Sequence, residues 1–294
     1  MPWDVSAYLI TMASWTALGV YGFITKRWKP WILVGITLAV VLNVRFIVPG
    51  LDYGFGHTTA ITDVSLAVVH GDLAALANVV TCPANECTID TDGETLHTSW
   101  AVVFFDRFAN GSSGQKAMFY GHIVGNTIAM ALVTWQLLRP VQPGQPNARR
   151  SRRHRQLGMT CFGAMGIGVF FGAVLAGQHT TIPEYGGAWS MFGLWEMSAC
   201  VAVTGVLGVR SARRGAYADH RVWMWRHAGS LWGSYFGFRA IMFFSDPIFI
   251  NYEGVAWNLS AWGGAPVGIA LAELARRRLD RSSAAATQPD LATV

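Results

Sequence analysis

The sequence predicts an all-α integral membrane bundle of about seven transmembrane helices, with the N-terminus outside and the C-terminus cytoplasmic. Three observations carry this. Hydrophobic residues make up 52% of 294 and charged residues 13%, half the roughly 25% charge of a soluble domain. Seven stretches approach the about 20 mainly apolar residues that a spanning helix needs: roughly 6–25, 30–49, 116–138, 157–177, 188–209, 227–246 and 255–275. Finally, all but four of the 22 Lys and Arg residues fall in four segments that recur after every second stretch. These are Lys26–Lys29, Arg139–Arg155, Arg210–Arg226 and Arg276–Arg281. That alternation is the positive-inside bias of a multi-pass protein of the cell membrane.

Each element follows in order. The first ten residues, MPWDVSAYLI, lack a basic n-region, so the first span reads as retained rather than cleaved. The second ends near Arg45, one of the four leftover cations with Arg107, Lys116 and Arg239. Residues 50–115 form an acidic extracytoplasmic cap, with Asp52, Asp63, Asp72, Glu86, Asp90, Asp92, Glu94 and Asp106. Within it, 61–80 is apolar enough to suggest an eighth span. Asp63, His70, Asp72 and the charge alternation instead favour an amphipathic helix on the outer face, and 98–108 caps the bundle similarly. Cys82 and Cys87 lie on the oxidising side, where a disulfide is the first reading and a metal pair the second. Cys161 and Cys200, inside spans, read as inert small core residues.

The third span carries Gly121, Gly125 and Ala129 on one face, and the fourth carries Gly168, Gly172 and Ala176. Four-residue spacing of small residues lets helices approach closely in lipid. Gly263, Gly264 and Pro266 are expected to interrupt the seventh span. Residues 1–281 thus form a single helical domain, and the polar tail 282–294 reads as disordered.

Three blocks carry a family resemblance: GHIVGNTIAMALVTWQLLRP with His122, RRHRQLG with His154 and Arg155, and ADHRVWMWRHAGSLWGSYFGFRAIMF with His220, Arg221, Arg226 and Arg239. Over about 119–244 the chain resembles the bacterial domain-of-unknown-function 2306 family of multi-pass membrane proteins. The family's Gly-Pro-x-Gln-Phe run after its third-helix His is replaced here by an apolar stretch ending in Trp135-Gln136. The resemblance implies architecture and picks out positions; it implies no activity.

A rise of about 1.5 Å per residue puts His122 and Glu196 roughly 10 Å below the outer surface, and Arg45 and Arg239 about 5–10 Å below it. These four ionisable residues from four helices share one layer, with Asn43, Asn126 and Tyr235 nearby. Charges at that depth face the bundle interior and pair. One account is therefore a structural network, Glu196 paired with Arg239 or Arg45 and His122 hydrogen-bonded beside them. The other is an outward-facing polar pocket. There, His122, Glu196, Arg239 and Arg45 would be catalytic: His122 as acid/base, Glu196 as proton acceptor, and the two arginines holding developing negative charge.

Metal binding is a further alternative. His122, Glu196, His57 and His179 would hold Cu or Zn, although no pair shows ligand spacing on one helix. Haem is a weaker one, with His122 and His179 as outer axial ligands and His154 with His220 or His227 as inner ones. HRVWMWRHAG reads as an interfacial anchor at the cytoplasmic helix ends.

The chain has no Walker loop, dinucleotide fingerprint, H-E-x-x-H or G-x-S-x-G motif. Its basic residues lack the aromatic interleaving of a nucleic-acid surface, so the expected partners are the bilayer, a small lipophilic molecule and, as an open alternative, further copies of the chain. The leading function is a membrane-embedded enzyme, redox or metal-dependent, acting on a lipophilic substrate such as a quinone or isoprenoid. The rivals are a proton-coupled small-molecule transporter and a non-catalytic subunit of a larger complex.

Overall fold

The computed structural model describes residues 17–18, 21–22, 24–25, 27, 29–37, 89–91, 94–96, 112–138, 148–178, 187–245 and 253–287. The long helices are α1 (Ser113–Leu138), α2 (Ala148–Ala176), α3 (Gly187–Arg213), α4 (Tyr217–Trp232) and α6 (Glu253–Thr287). A five-residue π-turn, Gly233–Gly237, joins α4 directly to α5 (Phe238–Ser245). Inside the stretch read as a cap, β1 (Ile89–Thr91) pairs antiparallel with β2 (Glu94–Leu96), placing Ile89 opposite Leu96. Asp92-Gly93, between them in sequence, is a favoured hairpin pair; the cap's last residues begin α1, and Cys82 and Cys87 lie outside the described residues.

Spans three to seven of the sequence reading thus coincide with the described helices. Three of them, Ser113–Leu138, Arg152–Ala176 and Gly187–Arg213, are long and apolar enough to cross a membrane. Two expectations need correction. α6 runs unbroken through Pro266, because one proline removes only one backbone bond and its ring is tolerated where neighbours support the helix. The interruption sits instead in the sixth span, where Phe238 N–H reaches back five residues to Gly233 O, the π pattern. α6 also continues to Thr287, past Arg281 into residues read as tail, because the Ala run 284–286 is a strong helix former.

Side-chain contacts fix the helix directions. Gly121 of α1 faces Phe171 of α2, while Gln136 donates to His154 O at 3.4 Å, so the pair is antiparallel. Trp195 Nε1 donates to Ala173 O at 2.9 Å, tying the start of α3 to the end of α2. α3 turns into α4 through Gly215 at φ +74°, with Ala216 N–H bonded to Ser211 O and Gly215 N–H to Ala212 O, a Schellman closure that needs the left-handed residue. α4 then lies between α3 and α6. Trp31, in the helical segment 29–37, stacks on Trp232 at 6.0 Å.

The core is shared by four helices: Ala129, Met130 and Val133 of α1, Cys161 and Met165 of α2, Val201 of α3, and Ala228 and Leu231 of α4. Both glycine faces predicted on α1 and α2 meet. A Cβ on Gly125 would lie 2.6 Å from Ala164 O and 2.7 Å from Gly168 N. The α4–α6 contact is tighter. A Cβ on Gly229 would lie 2.6 Å from Gly268 O, and one on Gly233 would strike Gly264 O.

At the end of the bundle opposite Ser113, ions tie α4 to α6. Glu273 accepts from Arg276 at 2.6 Å, Arg277 at 2.9 Å and Arg226 at 3.4 Å. Arg221 reaches Asp280 at 2.7 Å, and Arg276 reaches it at 2.8 Å. The Glu273 hydrogen bond is the main reason Arg276 holds its proton more firmly than an ordinary guanidinium.

Two predictions follow from the packing. Gly125→Val and Gly229→Val overpack backbone against backbone and cost about 1–3 kcal/mol or more each, read as a lowered thermal midpoint in detergent. Gly163→Ala and Gly166→Ala, which face open space, leave that midpoint unchanged or raise it. Separately, Asp280→Asn removes exposed pairs and costs about 0–1 kcal/mol. Glu273→Gln strands three guanidinium groups and lowers the midpoint further.

Candidate functional site

The close approach of α1 and α2 builds the first polar site. His122 sits over Gly172, where an added Cβ would lie 2.7 Å from the imidazole Cε1, so only glycine leaves room for the ring. Its Nδ1 is 2.9 Å from Gly168 O. A carbonyl oxygen only accepts, so Nδ1 carries the hydrogen and donates. In the neutral ring Nε2 is then the bare lone pair, and it makes no hydrogen bond within the described residues.

Asn126 Nδ2 lies 3.1 Å from the same Nδ1, and Asn126 Oδ1 is buried without a partner. Two N–H groups cannot satisfy one another. Exchanging the amide oxygen and nitrogen, which are assigned rather than seen, turns Oδ1 toward the Nδ1 hydrogen and gives the orphan acceptor a donor. The wide turn after α4 brings Tyr235 and Arg239 to this neighbourhood. The Arg239 guanidinium is within electrostatic reach of His122, stands 4.0 Å over the Tyr235 ring, and donates from Nη1 to Tyr235 O at 2.9 Å. Tyr235 Oη is buried and makes no hydrogen bond.

Glu196 does not join this group. The ion pair expected between Glu196 and Arg239 is absent, because Arg239 is held by Tyr235, and Glu196 Oε1 instead accepts from the Cys200 thiol on its own helix at 2.9 Å. Glu196 Oε2 is buried without a partner. Of the expected layer, Arg239 is within electrostatic reach of His122 without touching it, and Glu196 stands apart from both. Arg45, His57 and His179 lie outside the described residues. Among the described residues no three His, Cys, Asp or Glu side chains converge as a metal site would require.

The second polar cluster lies between α3 and α4. His227, read as a cytoplasmic-end residue, is instead 2% exposed, about 15 Å along the helix from Tyr217. α4 begins ten residues earlier than the apolar stretch suggested, so its charged first turns carry His227 into the bundle. Thr204 Oγ1 lies 3.3 Å from His227 Nδ1 and 3.3 Å from Ser230 Oγ, and it donates to Cys200 O at 2.6 Å. Thr204 and Ser230 are buried as well. Farther along α4, His220 Nδ1 donates to Gly208 O at 2.8 Å, and its ring meets His154 edge-on at 6.2 Å. The readable signal for this cluster was the four-residue spacing of Glu196, Cys200 and Thr204 on α3, with His227 and Ser230 three apart on α4.

Compared with known proteins, the chain matches no family model, no curated protein and no solved structure.

Gly172→Ala is expected to displace His122 from Gly168 O, costing about 1–3 kcal/mol in thermal stability. It should also shift the His122 imidazole resonances in spectra of ¹⁵N-histidine-labelled protein. Unchanged resonances would mean that the ring is not held by this contact.

Proposed function

We propose that the chain is a seven-span protein of the cell membrane, N-terminus outside and C-terminus cytoplasmic. On this reading it is a membrane-embedded enzyme acting on a small lipophilic substrate, such as a quinone or isoprenoid. The observation that carries it is the His122 imidazole. Its Nδ1–H is anchored on Gly168 O and its Nε2 lone pair carries no hydrogen bond among the described residues, within electrostatic reach of the Arg239 guanidinium. An anchored tautomer with a bare nitrogen is the arrangement of a general base or a metal ligand. In the first role Nε2 takes a proton from a substrate hydroxyl, and Arg239 stabilises the oxyanion left behind. In the second, Nε2 would hold Cu or Zn together with ligands such as His57 and His179. Membership of the domain-of-unknown-function 2306 family, suggested by the three quoted blocks, belongs to the same proposal.

One observation favours a second reading, a proton-coupled carrier. The π-turn breaks the α4–α5 helix opposite Gly264, and transporter sites commonly use interrupted helices.

The test is titration of proteoliposomes with a short-chain quinone, read by quenching of tryptophan fluorescence. Saturable quenching is expected for the wild type, weakened by about tenfold or more, roughly 1.4 kcal/mol, in His122→Gln and Arg239→Gln. Purely linear, unsaturable partitioning in the wild type overturns the quinone reading. Elemental analysis of the same protein decides between base and metal ligand.

A further inference from the structure

We propose that the α3–α4 interface is a proton relay running lengthwise through the bundle between His227 and Glu196, independent of the His122 site. Glu196, Cys200 and Thr204 recur every four residues on α3, and residues at that spacing share a helix face. Two hydrogen-bonded groups already exist along it. The first is the Cys200 thiol donating to Glu196 Oε1 at 2.9 Å. The second is Thr204 Oγ1 with His227 Nδ1 and Ser230 Oγ, both at 3.3 Å.

Glu196 is the unusual member. No described cation pairs with it, one carboxyl oxygen takes the thiol hydrogen, and the other is buried without a partner. His227 is the complementary end, an imidazole almost wholly enclosed yet touching the hydroxyl that begins the chain. Beyond it, two turns back along α4, His220 and His154 stand partly open at the basic end of the bundle. The single break lies between Cys200 Sγ and Thr204 Oγ1, one helical turn of about 5.4 Å, a gap that one water spans.

The transfer balances. A proton delivered by His227 passes to the Thr204 hydroxyl, which gives its own proton to the bridging water. The water passes one to Cys200 Sγ as the thiol hydrogen moves to Glu196 Oε1, and Glu196 in turn releases that proton toward the outer end of the bundle. One proton enters, one leaves, every group regains its starting count, and nothing is oxidised or reduced.

Proteoliposomes loaded with a pH-sensitive dye, and driven by a potassium gradient with valinomycin, read this directly. Wild-type protein is expected to conduct protons above protein-free vesicles. Glu196→Gln and Thr204→Val should cut the rate by about tenfold or more, Cys200→Ser should keep it because a hydroxyl also relays, Cys200→Ala should lose it, and Gly163→Ala should match the wild type. Infrared difference spectra taken during proton flux should show a carboxyl band that vanishes in Glu196→Gln. Flux no greater than protein-free vesicles overturns the relay, as do equal rates in Cys200→Ser and Cys200→Ala, or wild-type rates in Thr204→Val. The assay contains no quinone, so its failure and that of the His122 reading are separately visible.

Discussion

Helices in lipid gain little from burying apolar side chains against each other, so this bundle depends on how closely its backbones can approach. The controlling contact is α4 on α6, where Gly229 and Gly233 lie against the backbone of Gly264 and Gly268. There is no space for even a methyl group. With α4 seated there, its opposite side delivers His227 and Ser230 to α3, and Trp232 Nε1 to Thr134 Oγ1 of α1 at 2.8 Å. The second close pair, α1 on α2, is set by Gly125 and Gly168. The same approach holds the His122 ring against Gly172. Both polar sites thus depend on glycine contacts, the His122 site directly through Gly168 and Gly172.

The polar residues within the helices obey a second constraint, since a buried hydroxyl left without a hydrogen bond is costly. Most are satisfied locally: Thr127, Thr134, Ser234, Ser245 and Ser260 each donate to the carbonyl four residues earlier. Against that background the groups reaching other helices or left without partners stand out. They include His122, Asn126, Glu196, Thr204, His227 and Tyr235. The molecule keeps polarity where the backbone of the same helix cannot absorb it, and those places are where chemistry is expected.

Much of this was legible in the residues. Apolar length located the helices from α1 to α6, three of them long and apolar enough to cross a membrane, and small-residue spacing identified the α1–α2 face, because both are one-helix properties. What depends on two helices was not. The break was expected at Gly263–Pro266, where composition points to one. It lies instead at Gly233–Gly237, where composition also shows glycine but the cause is the fit against Gly264. Depth counting placed Glu196 and Arg239 in one layer, which suggested pairing. Helical azimuth, which counting ignores, sent Glu196 to Cys200 and Arg239 to Tyr235. His227 was assigned to an end because charge, rather than hydrogen bonding, was taken to mark where the helix begins.

The π-turn at Gly233–Gly237 fixes more than a local shape. Five residues per closed ring instead of four amount to one residue inserted into a helical phase. Every side chain from Phe238 to Ser245 is therefore advanced by about a hundred degrees relative to a continuous α-helix. Loss of a single residue from that turn would restore ordinary winding without disturbing α4 or its glycines. It would, however, swing Arg239 out of its present sector, off the Tyr235 ring, while keeping its sequence neighbours. A homologue shorter by one residue here would align almost perfectly, carry every residue of the site, and still present a different surface.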